Sequence, residues 1–162
     1  MQVVHPFEPI ADKNSRILIL GSFPSVKSRE TQFYYGHKQN RFWKVMAQIL
    51  QCAVPQTVEE KRTMLLTHGV AVWDILKSCD INGSSDASIR NPVPNDIAGL
   101  VDNTNIAAVF FNGKTAYGVY QKYSPWLTVP VQVLPSTSPA NAAYSLERLC
   151  DSWGKEIAPF VK

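Results

Sequence analysis

Asn40 lies in the stretch GHKQNRFWK (residues 36–44), where basic and aromatic residues flank it. Tyr35 comes just before, so an aromatic ring that could stack on an extruded base is combined here with Arg41, a cation that could bind phosphate. Asparagine is also among the residues that most often begin a helix. The stretch alone therefore leaves two roles for Asn40, an N-cap or a polar group that holds a reacting molecule.

Asn112 ends the apolar run IAAVFFN (residues 106–112), and Gly113 lets the chain turn there into a helical pattern. Its side-chain amide offers one acceptor and two donors, which match the adjacent C=O and N–H groups of a lactam. Uracil and hypoxanthine present such a lactam, whereas cytosine and adenine present the reverse arrangement. A buried Asn112 would therefore read deaminated bases as a class. The alternative role is a cap for the helix that follows.

Backbone N–H groups in the turn LGSFPS (residues 20–25) could point at a carbonyl or phosphate oxygen of a ligand. The turn does not have the glycine spacing of the phosphate-binding or dinucleotide-binding motifs. An ordinary strand-to-loop turn is therefore the alternative. The residues that would form this part of a site are Gly21, Ser22, Phe23, Pro24 and Ser25.

Three hydroxyl side chains lie together in the stretch LPSTSPAN (residues 134–141). These hydroxyls and neighbouring N–H groups could bind DNA phosphates, and the prolines would hold the loop stiff and so lower its ordering entropy. Ser138 followed by Pro139 is also a typical helix start, and both roles can hold at once. The candidate contact residues are Ser136, Thr137, Ser138, Pro139 and Asn141.

The elements that position these residues alternate between short apolar strands and helical patterns. Strands are predicted at 16–22, 70–76, 106–112 and 129–135, helices at 40–50, 57–69, 95–103, 113–123 and 138–160, and a long surface loop at 79–96. Asn95 and Ser138 are expected to begin the helices that they precede. The alternation predicts a three-layer α/β/α sandwich with a central four-stranded parallel sheet, in which ligands bind at the carboxyl ends of the strands.

Composition bounds the class of protein. The 162 residues are 45% apolar and carry 16 basic against 13 acidic side chains, a net charge of +3 that permits nucleic-acid binding without requiring it. The cysteines Cys52, Cys79 and Cys150 are not at metal-ligand spacing, which disfavours a disulfide framework, a structural zinc and an iron–sulfur cluster. No signal peptide or membrane span is read from the sequence. We expect one cytoplasmic domain over residues 1–162 with no metal or cofactor.

Motifs of other enzyme classes are missing from the sequence. It has neither the G-x-S-x-G elbow of many hydrolases nor the H-x-E and P-C-x-x-C pair of zinc deaminases. Two alternatives from other classes stay open at this point. One is a non-catalytic nucleic-acid binder of the same fold, and the other is a small-molecule hydrolase that uses a strand-end pocket.

The motifs together resemble the uracil-DNA glycosylase superfamily. VFFNGKTAYGVY (109–120) and LPSTSPAN are similar to the third-strand segment and the DNA-contact loop of its mismatch-specific thymine/uracil branch. GSFPS, YYGHKQNRFW, WDIL and GSSD look most like the hypoxanthine-DNA (deoxyinosine) glycosylase family. The similarity runs from about residue 16 to the final helix. It implies a monofunctional enzyme of base-excision repair that flips a deaminated base out of double-stranded DNA and hydrolyses its N-glycosidic bond.

The resemblance also implies roles for individual residues. The superfamily's usual first motif holds the attacking water with an Asn or Asp close to the first strand, and GSFPS has neither, so Asn40 is the replacement. Asn112, Tyr35 and the GSFPS turn would bind the base, while Arg41, Lys114 and the LPSTSPAN loop would bind DNA. We expect a monomer that prefers hypoxanthine. A mismatch-specific uracil/thymine-DNA glycosylase is the alternative within the superfamily.

Overall fold

The structure is a computed structural model that describes residues 2–5, 8–23, 26–31, 33–83, 85–123 and 127–161. Its strands are β1 (Gln2–Val4), β2 (Ile17–Gly21), β3 (Val70–Asp74), β4 (Leu76–Asn82), β5 (Ser85–Pro94), β6 (Ala108–Asn112) and β7 (Val131–Leu134). Its helices are α1 (Val26–Thr31), α2 (Phe42–Ile49), α3 (Val58–Thr67), α4 (Ile97–Asp102), α5 (Lys114–Tyr123) and α6 (Leu146–Ile157), followed by a 3₁₀ turn at Ala158–Phe160.

The central sheet has the strand order β3-β2-β6-β7, and every pairing in it is parallel. Ile17 of β2 lies opposite Val70 of β3 on one side and Ala108 of β6 on the other. The four residues 17–20 are fully buried, as expected for a parallel strand that is covered on both faces and therefore reads as an unbroken apolar run. The predicted three-layer α/β/α sandwich is confirmed.

The two faces of the sheet hold separate parts of the core, because successive side chains of a strand point in opposite directions. Ile17 and Ile19 pack with residues of α2, α3 and α6, among them Phe42, Trp43, Met46, Leu65, Leu149 and Trp153. Leu18 and Leu20 pack with α4, α5 and the β4–β5 hairpin, among them Ile97, Val101, Val119, Tyr120, Cys79 and Ile89. The helices on both faces thus hold the strands in place, and with them the carboxyl ends of β2, β6 and β7.

The prediction of a long loop at 79–96 is wrong, because this segment forms most of a second sheet. β4 pairs antiparallel with β5, and β1 pairs antiparallel with the other side of β4. The pairing of β4 and β5 is irregular in three places, so the sequence lacks the regular alternation that marks a strand. Pro92 and Pro94 are tolerated because β5 is an edge strand.

The closing helix begins later than predicted. α6 starts at Leu146, and the Ser145 hydroxyl accepts a hydrogen bond from the Arg148 N–H at 3.2 Å, so Ser138 is not its N-cap. The residues after 138 instead form turns, in which the Asn141 N–H donates to the Ser138 carbonyl at 3.0 Å. The helix signal at Ser138 and Pro139 was therefore a turn signal, since serine and proline favour both structures.

The start of α4 also differs from the prediction by one residue. The Asp96 carboxylate accepts the Gly99 N–H at 3.0 Å and caps the helix, whereas Asn95 is buried and its amide donates to the Asp74 carbonyl at 2.9 Å. Asn95 therefore ties the end of β3 to the start of α4. No helix in the described part of the chain is long and apolar enough to cross a membrane.

Candidate active site

The predicted site residues meet where β2, β6 and β7 end. Gly21 closes β2, Asn112 closes β6, and the residues after Leu134 form a loop that reaches across to the segment before α2. Asn40 and Asn112, which are far apart in sequence, both bind the side chain of Thr137 in that loop. The fold thus brings the two candidate amides into one hydrogen-bonded group.

Asn40 precedes Arg41, the N-cap of α2, and its side chain faces this group. Its Oδ1 accepts hydrogen bonds from the Phe42 N–H at 3.0 Å and from the Thr137 hydroxyl at 2.8 Å. These two donors occupy both lone pairs of the amide oxygen. Among the described residues nothing accepts a hydrogen bond from its Nδ2, so the amino end of the amide is the unpaired end. The interpretation of Asn40 as the N-cap of α2 is wrong, because Arg41 holds that position. The Asn40 side chain forms a turn with the first helical N–H instead, and its role in the site remains a prediction.

Asn112 is paired edge to edge with Thr137. Its Oδ1 accepts the Thr137 N–H at 3.0 Å, and its Nδ2 donates to Thr137 Oγ1 at 3.0 Å. The amide keeps one further N–H and one further lone pair for another partner. The pairing with a lactam that the sequence predicts would have to use these remaining groups or displace Thr137.

Thr137 is fully buried, with 0% of its surface exposed. Its hydroxyl, its N–H and its carbonyl all bind protein groups, and the carbonyl accepts the Arg41 N–H at 3.1 Å. Of the loop residues predicted to contact DNA, Thr137 thus faces the protein interior, while Pro139 is exposed. Sequence reasoning grouped the three hydroxyls because it could not tell which of them points inward.

Arg41 holds the loop against the start of α2. Its guanidinium donates to the carbonyls of Ser138 at 2.8 Å and Asn141 at 3.0 Å, and also to those of Thr137 and Tyr144. These contacts set the path of residues 137–144, because one planar fork of donors binds several carbonyls at once. A contact between Arg41 and a DNA phosphate remains a prediction.

A cavity of about 310 Å³ opens beside Asn112, between the loop and the beginning of α5. Its walls include the predicted DNA-binding residues Lys114, Ser136, Ser138 and Asn141 together with Ser22 of the GSFPS turn. Lys114 is exposed and lies at the first position of α5, where the helix dipole also favours an anion. The cavity therefore suits a phosphate group next to the Asn112 amide.

The Tyr35 side chain lies next to Asn112 and packs on Phe42, the first residue of α2. Its ring stacks on Phe42 with centroids 4.0 Å apart and planes at 21°. Its buried hydroxyl lies beside the Asn112 amide, which acts to lower its pKa, but no contact with a described residue meets hydrogen-bond geometry. Burial raises the pKa of the Tyr35 hydroxyl far above its usual value, and the charge of Asp74 raises it further, so the group stays protonated.

Asp74 and His5 form a buried pair that the sequence analysis missed. Asp74 Oδ2 and His5 Nε2 are 2.8 Å apart, and the side chains are only 5% and 3% exposed. Asp74 ends β3 in the stretch WDIL. Because ligands bind at the carboxyl ends of parallel strands, its position was a signal that the sequence contained. His5 had no such signal, because it follows β1, a strand that the sequence did not reveal.

Gly21 is needed for the position of Asp74. A Cβ at residue 21 would lie 2.4 Å from Asp74 Oδ1 and 3.6 Å from the Tyr35 hydroxyl oxygen. Ser22 and Phe23 are buried next to it, and the Phe23 ring meets the His5 ring edge-on at 6.0 Å. The predicted base contacts at Pro24 and Ser25 lie outside the described residues.

Comparisons with known proteins identify the class. Residues 8–157 match the family model of the uracil DNA glycosylase superfamily. A protein from Methanosarcina acetivorans named hypoxanthine DNA glycosylase is 34% identical over 144 residues, which are 88% of this chain and 90% of that protein. One of the same name from Methanosarcina barkeri is 31% identical over 151 residues, 92% and 94% of the two chains.

The fold agrees with that class. The solution NMR structure of a candidate uracil DNA glycosylase from Methanosarcina acetivorans matches with a TM-score of 0.83 and 31% identity, and the match covers 99% of both chains. The protein is therefore a DNA glycosylase, an enzyme that hydrolyses N-glycosidic bonds in DNA repair. It belongs to the uracil DNA glycosylase superfamily.

Proposed function

We propose that this DNA glycosylase acts as a single-domain monomer and excises hypoxanthine from double-stranded DNA that contains deoxyinosine. The observation that carries the proposal is the pair of amides, Asn40 and Asn112, joined through Thr137 at the carboxyl ends of the strands. The choice of base is supported by the two relatives named for hypoxanthine, which match about nine tenths of the chain.

Asn40 orients the attacking water. A neutral amide is not a strong base, so the glycosidic bond breaks first and its electron pair moves to the base. The oxocarbenium-like sugar then accepts an oxygen lone pair of the water, and the proton that the water loses goes to the released base anion, so the products are an abasic sugar and the neutral base. Because the Asn40 amide oxygen already accepts two hydrogen bonds, its unpaired Nδ2 is the end that holds the water.

Asn112 stabilises the departing base. Its second N–H is fixed in place before the reaction, and a donor of this kind is most effective where negative charge develops in the transition state. The backbone N–H of Phe23 is a further candidate donor. Tyr35 stabilises the site by packing, since its ring is stacked on Phe42.

Residues of the LPSTSPAN loop and the start of α5 bind the DNA backbone. Lys114, Ser136, Ser138, Pro139 and Asn141 face the backbone on either side of the flipped nucleotide, and phosphate contacts of this kind position the enzyme without reading sequence. Arg41 contributes by holding the loop in shape, as its four carbonyl contacts indicate.

The test is a single-turnover assay of strand scission after alkali, with duplexes that carry hypoxanthine, uracil, xanthine or a thymine mismatch. We expect hypoxanthine to be released fastest. Faster release of uracil or mismatched thymine would favour the mismatch-specific alternative. Binding to all of these duplexes without release of any base would contradict a glycosylase and favour a non-catalytic nucleic-acid binder.

A further inference from the structure

Thr137 connects three parts of the site through one residue. Its Oγ1 lies 2.8 Å from Asn40 Oδ1 and 3.0 Å from Asn112 Nδ2, and its N–H donates to Asn112 Oδ1 at 3.0 Å. Its carbonyl accepts hydrogen bonds from Arg41. A fully buried hydroxyl between two amides must have a definite direction of donation, because it carries a single proton.

Two backbone N–H groups set that direction. A backbone N–H can only donate, so the Phe42 N–H identifies the oxygen of the Asn40 amide and the Thr137 N–H identifies the oxygen of the Asn112 amide. Asn112 must then present its Nδ2 to the Thr137 hydroxyl. The hydroxyl accepts there and can give its only proton to Asn40.

Reversing either amide would break this arrangement. If the Asn40 amide turned over, its NH₂ would face the Phe42 N–H, donor against donor, and the Thr137 hydroxyl proton would lose its acceptor. If the Asn112 amide turned over, the Thr137 N–H would lose its acceptor in a buried position, which is costly. Each amide orientation is thus fixed by its own backbone N–H, and the Thr137 hydroxyl joins the two amides by accepting from Asn112 and donating to Asn40.

We propose that Thr137 is a positioning residue for base excision, which keeps the amino end of Asn40 directed at the reacting sugar while Asn112 contacts the base. This inference rests on the proposed function and goes beyond it, because it gives a buried loop residue a part in the chemical step. The expectation that Thr137 binds a phosphate gives way to this role, since its hydroxyl has no exposed surface.

Two substitutions separate positioning from packing. Thr137→Val keeps the shape of the side chain and removes the hydroxyl, whereas Thr137→Ser keeps the hydroxyl and removes the methyl group. Thr104→Val is the matched control. The Thr104 hydroxyl also binds protein groups, but it lies before β6, at the amino ends of the strands and away from the site. Each variant is compared by single-turnover release of hypoxanthine and by affinity for the same duplex with an abasic analogue.

We expect Thr137→Val to slow release by about ten- to a thousandfold, with little change in affinity. Thr137→Ser should recover most of the lost rate, and Thr104→Val should behave like the unsubstituted protein. The inference is overturned if Thr137→Val is as active as Thr104→Val, if Thr137→Ser is as slow as Thr137→Val, or if affinity falls in proportion to the rate. If the unsubstituted protein releases no base from any duplex, the proposed function itself fails.

Side-chain amide exchange gives a second test that needs no substitution and applies even if Thr137→Val does not fold. In the unsubstituted protein, one Nδ2 proton of Asn112 should exchange slowly because it binds the Thr137 hydroxyl, and both Nδ2 protons of Asn40 should exchange fast. Slow exchange of an Asn40 proton, or fast exchange of both Asn112 protons, would contradict the proposed orientation.

Discussion

At the scale of single residues, the site depends on amides rather than on charged groups. Asn40 and Asn112 each make two hydrogen bonds in the free protein, and Asn40 keeps its amino end free. The Asn40 amide oxygen accepts the Phe42 N–H at the start of α2, so its structural role and its proposed chemical role would use different ends of one side chain. A substitution that changes one end and spares the other can separate the two roles.

Asn40→Ser is such a substitution. The serine oxygen can still accept the Phe42 N–H in the turn before α2, but the Thr137 hydroxyl loses its acceptor, so we expect a loss of about 1 kcal/mol in the free energy of unfolding. The amino end that holds the water is removed, and excision should fall by orders of magnitude. The measurements are a melting curve and a single-turnover rate on a deoxyinosine duplex. A normal rate would contradict the catalytic role of Asn40.

The link between Asn40 and Thr137 could not be read from the sequence, because the two residues are 97 positions apart and meet only through the fold. Asn40 is a candidate site residue because aromatic and basic residues surround it. Thr137 is one because hydroxyls and prolines surround it. Those patterns identified the segments but not the direction of each side chain. Which of three consecutive hydroxyls points inward depends on Arg41, whose contacts lie in a distant segment.

At the scale of elements, strands buried on both faces were predictable and the others were not. Residues 17–20 form an unbroken apolar run, because helices cover both sides of β2. The hairpin of β4 and β5 has polar residues, prolines and irregular pairing, so its composition is that of a loop. Its position could not be inferred either, since antiparallel pairing with β1 depends on a three-residue strand.

The junction of β2 and β3 gives a prediction about packing between elements. Gly21 and Asp74 are register partners, and a Cβ at residue 21 would lie 2.4 Å from a carboxylate that is held by His5. Gly21→Ala should therefore lower the free energy of unfolding by about 1–3 kcal/mol. The measurement is chemical denaturation of the free protein.

Gly118→Ala is the control for this prediction. Gly118 lies in the middle of α5, and a Cβ there would meet nothing within 4 Å. Alanine should stabilise that helix by about 0.5–1 kcal/mol, because glycine loses more conformational freedom on folding. Equal effects of the two substitutions would mean that contact with Asp74 does not determine the need for glycine at position 21.

At the scale of the whole molecule, two buried tyrosines link stability to alkaline pH. Burial raises the pKa of Tyr34 and Tyr35 in the folded protein, and the charge of Asp74 raises both further. In the unfolded chain a tyrosine has a pKa of about 10. The unfolded state therefore loses these protons first as the pH rises, and their contribution to stability is complete below about pH 10 and lost above it.

We expect the free energy of unfolding to fall above about pH 10, and to fall less steeply in Tyr34→Phe and Tyr35→Phe. At neutral pH the two variants should differ. The Tyr34 hydroxyl donates to the Glu8 carbonyl at 2.8 Å, so its removal should cost about 1 kcal/mol, whereas the Tyr35 hydroxyl makes no hydrogen bond of good geometry with a described residue and its removal should cost less. Urea denaturation between pH 7 and about pH 12 measures both effects. An unchanged slope in both variants would contradict the role of these tyrosines.

Because the net charge of the protein is small, we expect its affinity for DNA to depend on individual basic side chains near the site. A net charge of +3 is small, so we expect binding to depend on cations that lie at the site more than on the overall charge. Lys114 is exposed at the start of α5 and lines the cavity beside Asn112. It is therefore the residue with which a phosphate contact can be tested.

Lys114→Gln should weaken binding to damaged and undamaged duplex alike, because a phosphate contact carries no sequence information. It should also reduce the slope of log affinity against log salt concentration by about 0.9, the value for one phosphate contact. Lys155→Gln is the control, since Lys155 lies in the last turn of α6, away from the cavity. Affinity measured at several salt concentrations decides the matter. If both variants lower the slope equally, the effect is one of net charge, and Lys114 does not contact a phosphate at the site.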